Sequence, residues 1–228
     1  PVGRMARLHP NGTLDTTFNI GSGFTSLPGW PGIGSNVQAV NSIALQADGK
    51  ILVAGSFDTI NGQFAGRIVR LHPDGAIDTS FHTGRGIGTI ANKIVVQPDQ
   101  KIVIGGIFST YDSLPYNYIV RINPDGSVDT TWNAGPGANG SVDELALQPD
   151  GKILIGGDFT MYGGNGVNYL QFRLARANTD GSRDITFSQA GASRSVLGIA
   201  LRPDDHIVIG GRFTYYESVA HNGFAILL

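Results

Sequence analysis

The chain has 228 residues, of which 33 are Gly and 11 are Pro; 41% of it is apolar and only 15% is charged. This apolar content supports a folded core, so the composition excludes wholesale disorder, and the length fits one large all-β domain or two small ones. With 16 Lys and Arg against 18 Asp and Glu, the net charge of −2 disfavours nucleic acid or an anionic membrane as a partner.

The sequence lacks Cys, which excludes disulfides and thiolate metal sites. No apolar run reaches the length of a membrane-spanning helix. The chain opens at Pro1 with neither Met nor a signal-like segment, so we expect a mature or trimmed piece of a longer protein.

Two blocks of sequence alternate along the chain. The first occupies residues 45–57, 96–108, 147–159 and 201–213, and its turn Asp residues are spaced by 51, 51 and 54 residues. The second occupies residues 7–18, 70–81, 121–132 and 176–187. Spacing this regular indicates a structural repeat.

Each unit is predicted to contain four strands, A to D. In the first complete unit these are Ser42–Leu45, Ile51–Phe57, Arg67–His72 and Ile77–Phe81. Asp-Gly between the first two strands predicts a tight hairpin. Strand B is apolar at successive positions, which is typical of a strand covered on both faces. No segment has a sustained 3.6-residue period, so helix should be nearly absent.

A period of about 51 residues with four short strands predicts an all-β fold, a β-propeller. We expect residues 1–228 to form a single propeller domain, with units at about 40–81, 90–132, 142–187 and 196–228 and an N-terminal half unit at 4–18. Ring closure would join the N-terminal C and D strands to the C-terminal A and B strands in one shared blade, which gives four blades. Five blades, or an arc of a larger ring, remain open.

A surplus strand follows at the C-terminus. It starts at Phe224 and is predicted to carry Leu227 where the other C strands carry Arg. A strand that breaks the repeat in this way could be a cap or a contact with another chain.

The repeat resembles a known family. Residues 147–159, with the sequence LQPDGKILIGGDF, and residues 121–132, with the sequence RINPDGSVDTTW, look like the bacterial delta-sixty repeat. The resemblance implies a module of large exported or surface-attached bacterial proteins, with no assigned catalytic residues. The chain departs from the pattern at Gln100 and Asp205 in place of a turn Gly, in the insertion at 21–36 and in the strand at 175–177.

Most carboxylates are predicted to be structural, because 11 of the 18 acidic residues recur at fixed repeat positions. One set lies eight residues after an Arg in every second block, so each Asp could pair with that Arg across a hairpin or form an Asx-turn with the following residues. The Arg residues are Arg7, Arg70, Arg121 and Arg176, and the Asp residues are Asp15, Asp78, Asp129 and Asp184. The turns offer too few oxygens for calcium, and no His pair has zinc-ligand spacing, so we expect neither metal nor cofactor.

Seven acidic residues do not recur. They are the candidates for a propeller glycosidase, which needs two carboxylates in one pocket: Asp58, Asp112, Asp143, Glu144, Asp158, Asp205 and Glu217.

The loops predict a binding face. The A–B and C–D turns are short and repetitive, whereas the B–C and D–A connections are long and variable and should share the opposite face. Tyr111, Tyr162 and Tyr216 align with Ile60 and are expected to pack, and Trp132 is expected in the core. The less periodic polar and aromatic residues are the candidates for ligand contact: Trp30, Tyr116, Tyr169, Tyr215, His221, Asn165, Asn168, Asn222 and Arg85.

The sequence therefore predicts a non-enzymatic module, secreted or on the bacterial cell surface, that binds a glycan or a cell-surface partner through this face. The first alternative is a structural or oligomerising tip or spacer domain of a surface fibre, associating through the C-terminal strand. The second is a propeller glycosidase.

Overall fold

The computed structural model describes residues 3–25, 39–164, 172–187 and 191–227. These residues form 19 β-strands, β1 to β19 in chain order, and no helix. The predicted all-β class is confirmed.

Four three-stranded antiparallel sheets follow one another along the chain, and in each the strands are ordered as in the sequence. Their strands correspond to A, B and C of the predicted unit: β2 (Val40–Leu45), β3 (Ile51–Gly55) and β6 (Ile68–Leu71); β7 (Ile90–Val96), β8 (Ile102–Ile107) and β11 (Ile119–Ile122); β12 (Val142–Leu147), β13 (Ile153–Gly157) and β14 (Leu174–Ala177); β15 (Val196–Leu201), β16 (Ile207–Gly211) and β19 (Phe224–Leu227).

Each sheet packs on the next one, because β2 contacts β7, β7 contacts β12, and β12 contacts β15. A glycine on strand B permits this approach: a Cβ on Gly105 would lie 2.4 Å from Cγ1 of Val142 in the next sheet. Separate apolar clusters fill the three junctions, and a fourth joins Phe18, Ile20 and Phe24 to the first sheet. As predicted, the central strands β3 and β13 are buried along their whole length.

Strand D is shorter than predicted. In the first unit only Ile77 pairs, in an isolated bridge with Leu71, and the N-terminal half unit and the second and third units have the same single bridge. The next residue explains the difference, because Oδ1 of Asp78 accepts the backbone N–H of Ser80 at 3.0 Å. This Asx-turn takes a donor that a longer strand would need for its ladder.

The last sheet also differs from the expected shared blade, in which N-terminal strands would join the C-terminal A and B strands. The place beside β16 is taken by β19, with Val208 opposite Ile226, and not by the N-terminal segment. The equivalent pair in the first sheet is Leu52 with Arg70, so Ile226, and not Leu227, occupies the arginine position. Within the described residues no comparable packing joins the fourth sheet to the first.

Seven two-residue strands lie in the connections: β1 (Phe24–Thr25), β4 (Thr59–Ile60), β5 (Gln63–Phe64), β9 (Thr110–Tyr111), β10 (Leu114–Pro115), β17 (Tyr215–Tyr216) and β18 (Val219–Ala220). The last six form hairpins inside the B–C connections. Their turn residues have positive φ, for example 46° at Asp112 and 67° at Ser113, as a type I′ turn requires.

The N-terminal half unit and the first three units are each held by an Arg–Asp pair between strand C and the following turn. The Nε to Oδ2 distances are 2.8 Å for Arg7–Asp15, 2.7 Å for Arg70–Asp78, 2.7 Å for Arg121–Asp129 and 2.8 Å for Arg176–Asp184. The other carboxylate oxygen accepts the backbone N–H two residues later, for example that of Thr131 at 3.0 Å. The ion pair and the Asx-turn, which are rival interpretations of the sequence, are therefore both present.

Candidate binding face

The two long connections of each unit meet on one side of the sheets, which we call the loop face. Each D–A connection pairs with the following B–C hairpin through a short bridge. The pairs are Phe24 with Ile60, Ile87 with Tyr111, Ala138 with Tyr162 and Ala192 with Tyr216. Variable segments from two parts of each unit therefore lie side by side on a rigid scaffold.

A cavity of about 420 Å³ opens on the loop face of the third and fourth units. We call it the loop-face cavity; its lining residues are Phe172, Arg173, Gly191, Ala192, Ser193, Tyr215 and Ser218. Tyr215, a predicted contact residue, is 53% exposed, and Phe172 is 37% exposed. Two exposed aromatic side chains in one concavity provide apolar surface for a ligand.

Hydrogen bonds fix the cavity wall around Tyr215. The Ser193 hydroxyl accepts the backbone N–H groups of Thr214 at 3.1 Å and of Tyr215 at 3.2 Å. A backbone held by two such bonds presents the Tyr215 ring from a defined position.

Charged groups lie at the rim of the cavity. Nε of Arg173 is 3.5 Å from Oδ1 of Asp158, whose side chain is 58% exposed. The Asp158 N–H donates to the Ser141 carbonyl at 2.9 Å, which ties the rim to the start of β12. The Arg173 side chain is 23% exposed and its Nε is buried, so the exposed carboxylate of Asp158 is the more accessible group of this pair for a ligand.

A second cluster of polar side chains lies where the A strands begin. Strand pairing shifts register at Asn41, Asn92, Asp143 and Leu197, one bulge in each sheet. Asn41 Nδ2 donates to the Ala91 carbonyl of the next sheet at 2.9 Å. Asn92 Nδ2 donates to the Val142 carbonyl at 3.1 Å and to Oδ1 of Asp143 at 3.0 Å. The bulges therefore aim polar side chains across the junctions.

In this cluster, the carboxyl of Asp143 has a shifted pKa. Burial raises its pKa above the usual value and nearby Asp158 adds to the effect, while hydrogen bonds from Ser141 and Asn92 and the charge of Arg212 oppose it. Beside it, Nζ of Lys93 lies 2.7 Å from Oε1 of Glu144. Among the unrepeated carboxylates, Asp158 therefore contributes to the raised pKa of Asp143.

The other predicted contact residues that the structure describes, Tyr116, Arg85, His221 and Asn222, do not line the loop-face cavity. Tyr116 is partly buried against the core between the first two sheets. Arg85 is exposed, and its backbone N–H donates to Asp112 at 2.9 Å. His221 lines a different groove and Asn222 is exposed. Outside the described residues lie Trp30, Tyr169, Asn165 and Asn168.

The tyrosines that align with Ile60 are packed, as the repeat indicates. Tyr111 and Tyr162 are fully buried, and each hydroxyl donates at 2.7 Å to the carbonyl of a turn glycine, Gly126 or Gly181. Burial raises the pKa of both phenols well above the usual value. Trp132 packs against the second junction and is partly buried, with the Arg121 guanidinium 5.7 Å from its ring.

Sequence reasoning missed Phe172, Arg173 and Ser193 as lining residues. Phe172 and Ser193 stand in connections whose sequence does not repeat, so alignment of units carries no information about them. Alignment of the units points to Asp143, because it occupies the position held by Asn41 and Asn92 in the earlier units.

Repeated antiparallel sheets of about 51 residues, packed in succession with their variable loops on one face, define a β-propeller protein. The chain matches the family described as "Domain of unknown function (DUF5122) beta-propeller" over residues 1–18, 46–81, 97–131 and 148–187, and it belongs to that family. The resemblance to the delta-sixty repeat is thereby confirmed.

Similar folds occur among solved structures, all at low identity. The extracellular domain of BT4673 from B. thetaiotaomicron has 17% identity and a TM-score of 0.48, over 84% of this chain and 21% of that chain. The PQQ-bound aldose sugar dehydrogenase of Streptomyces coelicolor has 19% identity and a TM-score of 0.48, over 77% of this chain and 57% of that chain. The chain thus spans about a fifth of the first solved structures that it matches. No curated protein matches the chain.

Two kinds of feature are absent from the part of the chain that the structure describes. It contains no helix that is long and apolar enough to cross a membrane. It also contains no group of three or more His, Asp or Glu side chains placed to hold a metal ion.

Proposed function

We propose that this propeller is a non-enzymatic binding module that acts outside the bacterial cell, as one domain over residues 1–228, and recognises a glycan through the loop-face cavity. The observation that carries the proposal is the pairing of two exposed aromatic side chains, Phe172 and Tyr215, in one concavity. Aromatic faces stack on the apolar faces of sugar rings.

The polar groups of the cavity suit the same ligand. Arg173 and Asp158 stand at the rim and the Ser193 hydroxyl is fixed in the wall. Sugar hydroxyls need donors and acceptors arranged around an apolar surface, and a few polar groups in an aromatic site provide this.

The positions of the unrepeated carboxylates support binding without catalysis. Asp58 is buried, and Nη2 of Arg67 lies 2.8 Å from its Oδ1. Asp205 and Glu217 are exposed residues that line a different groove. Of the seven, these three are therefore unsuited to serve a reaction in the loop-face cavity.

A glycan array probed with the 228-residue chain tests the proposal, followed by calorimetric titration of any glycan that binds. Tyr215→Thr is the informative variant, because Thr59 and Thr110 occupy the equivalent positions in the first and second units. We expect this variant to fold normally and to lose at least about tenfold in affinity, since it loses an aromatic stacking surface.

The matched control is Leu114→Ala, which removes a side chain 49% exposed on the hairpin of the second unit, away from the cavity. We expect unchanged affinity. Absence of binding to any glycan, or equal affinity for wild type and Tyr215→Thr, would contradict the proposal.

A second function is favoured by one observation, the raised pKa of Asp143 beside Asp158. A glycosidase needs a protonated carboxyl close to an ionised one. This alternative predicts release of reducing sugar from a bound glycan and loss of that release in Asp143→Asn, whereas the binding module leaves the glycan intact.

A further inference from the structure

Two units carry an arginine at the same place on the loop face. Arg67 and Arg173 each stand directly before strand C, with φ of 64° and 66°. Their carbonyls accept the N–H of the equivalent strand-B glycine, Gly55 or Gly157, at 3.1 Å in both units. The two side chains therefore leave the backbone at matched positions, and their surroundings can be compared directly.

The Arg67 guanidinium is bound on two sides within the chain. Its Nη2 lies 2.8 Å from Oδ1 of Asp58, and the two side chains are 6% and 8% exposed. Its Nη1 donates to the carbonyls of Ile87 and Gly88 in the next D–A connection, at 2.9 Å and 3.1 Å. A guanidinium buried in this way needs the carboxylate, because an unpaired charge is costly to remove from water.

A neutral residue replaces the Asp58 carboxylate in the third unit. Asp58 and Thr160 each directly follow the phenylalanine that ends the predicted strand B. The Thr160 side chain carries no charge, and its hydroxyl accepts Nδ2 of Asn139 at 2.9 Å. The third unit therefore has an arginine equivalent to Arg67 without the aspartate that neutralises it.

The contacts of Arg173 are correspondingly fewer. Its Nε is buried and lies 3.5 Å from Oδ1 of Asp158, which is longer than a usual charge-assisted hydrogen bond. Its Nη groups are not buried, and none of the described residues accepts a hydrogen bond from them. One edge of the guanidinium thus faces Asp158, and the other edge is open.

Arg173 lines the loop-face cavity. In the first unit the D–A connection at Ile87 and Gly88 closes over the arginine. In the third unit the equivalent residues, Ala192 and Ser193, line the cavity beside Arg173. Of the described lining residues Arg173 alone carries a charge, so the cavity offers its ligand one positive group.

We propose that the loop-face cavity selects glycans that carry a carboxylate, as uronic acid residues do, and that the ligand's carboxylate binds Arg173 as Asp58 binds Arg67. This inference rests on the proposed glycan-binding function and adds the class of sugar. A carboxylate can accept two parallel hydrogen bonds from a guanidinium, which fixes its orientation as well as its position. The aromatic surfaces of Phe172 and Tyr215 remain for the sugar ring.

Asp158 does not occupy the proposed carboxylate position. It faces Nε of its arginine, whereas Asp58 binds through Nη2. The Asp158 side chain is 58% exposed, so water and salt screen its repulsion of an acidic ligand. Two carboxylates can therefore contact different edges of the Arg173 guanidinium.

Paired ligands test the inference. A glycan array carries short oligomers of galacturonate, glucuronate, mannuronate and guluronate, each beside its carboxyl-reduced neutral form, and calorimetric titration follows for the pairs that bind. We expect the wild-type chain to bind at least one oligouronate about tenfold more tightly than its reduced form, because only the acid can pair with Arg173. In Arg173→Gln this ratio should fall to about one.

A second variant supplies the missing carboxylate from within the chain. Thr160→Asp places it where Asp58 stands in the first unit, so it should pair with Arg173, raise the melting temperature by roughly 2 to 4 °C and abolish the preference for the acid. Thr160→Asn is the matched control, because its amide has the same shape without the charge and can still accept Nδ2 of Asn139. The control should keep the wild-type ratio.

The outcomes separate this inference from the proposed function. Equal affinity of the wild-type chain for oligouronates and their reduced forms overturns this inference and not the proposed glycan site. A preference that persists in both Arg173→Gln and Thr160→Asp also overturns it, because the acid is then bound elsewhere. Absence of binding to any glycan contradicts the proposed function itself, and this inference falls with it.

Discussion

The repeated aspartates show how one side chain can fix both a turn and an ion pair. In Asp129, Oδ2 lies 2.7 Å from Nε of Arg121 and 2.9 Å from Nζ of Lys101, while Oδ1 accepts the Thr131 N–H and hydroxyl. The side chain is 4% exposed, so its charge is stabilised by these four donors. Loss of that charge should therefore destabilise the unit.

The first prediction concerns the pH dependence of stability. Burial alone would raise the pKa of Asp129, but hydrogen bonds from Thr131 and Lys101 and the charge of Arg121 hold it well below the usual range; Asp78 and Asp184 behave alike, and the pKa of Asp15 is about 2. The folded chain then binds fewer protons than the unfolded one below about pH 5. The stabilisation that these four carboxylates contribute should be constant above that pH and be lost from there towards about pH 2, as denaturant titrations followed by circular dichroism can measure.

The matched variants are Asp129→Asn and Asp99→Asn. The first should lower the free energy of unfolding at about pH 7 by about 2 to 4 kcal/mol and reduce the acid slope. The second lies in an exposed turn and should cost less than about 1 kcal/mol. A pH profile that Asp129→Asn leaves unchanged would rule out this source of acid sensitivity.

The second prediction compares two turn glycines. Gly12 has φ of 84° and open space around it, whereas Gly126 has φ of 94°, and a Cβ at that position would lie within 3.0 Å of backbone atoms of His82. Substitution by Ala carries a similar backbone cost at both, about 1 kcal/mol. Thermal unfolding should show a further loss for Gly126→Ala, because the turn must move away from the His82 backbone. Equal losses would mean that this contact contributes little.

At the scale of the element, strands A, B and C could be predicted because their pattern occurs in every unit. The length of strand D could not be predicted. Its apolar Ile77 resembles a strand residue, but the side chain of Asp78 accepts the backbone N–H of Ser80 that a longer strand would use for pairing. The B–C hairpins were missed although Asn61-Gly62 is a favourable type I′ pair. In the other described hairpins the same positive φ is adopted by Asp112 and Ser113 and by Glu217 and Ser218, which signal it less clearly.

The third prediction concerns the bulges of the A strands. Asn92→Ala removes a hydrogen bond that opposes the raised pKa of Asp143. The pKa of Asp143 should therefore rise further, as carboxyl chemical shifts in a nuclear magnetic resonance titration can measure. Asn41→Ala is the control, because Asn41 donates to Ala91 in another junction. An unchanged Asp143 pKa in Asn92→Ala would show that the contact is too weak to matter.

At the scale of the whole molecule, topology alone placed both variable connections on one face, because a meander of short strands alternates its turns between two sides. It could not give the site within that face. Tyr215 was identified from its break in the repeat, but Phe172 and Ser193 reach the same cavity from separate connections. Which loop residues meet in one cavity depends on how the sheets pack against each other. No local sequence pattern encodes that packing.

Neighbouring units are joined by three guanidinium groups, because Arg7, Arg70 and Arg121 donate to turn carbonyls of the following unit, those of Pro73, Pro124 and Thr179. These contacts have a mechanical consequence. They connect each unit only to the next, so a load applied to the two ends of the chain passes through these junctions in series. We expect single-molecule extension to rupture the junctions one at a time, each releasing one repeat of 51 residues, or roughly 17 nm of chain.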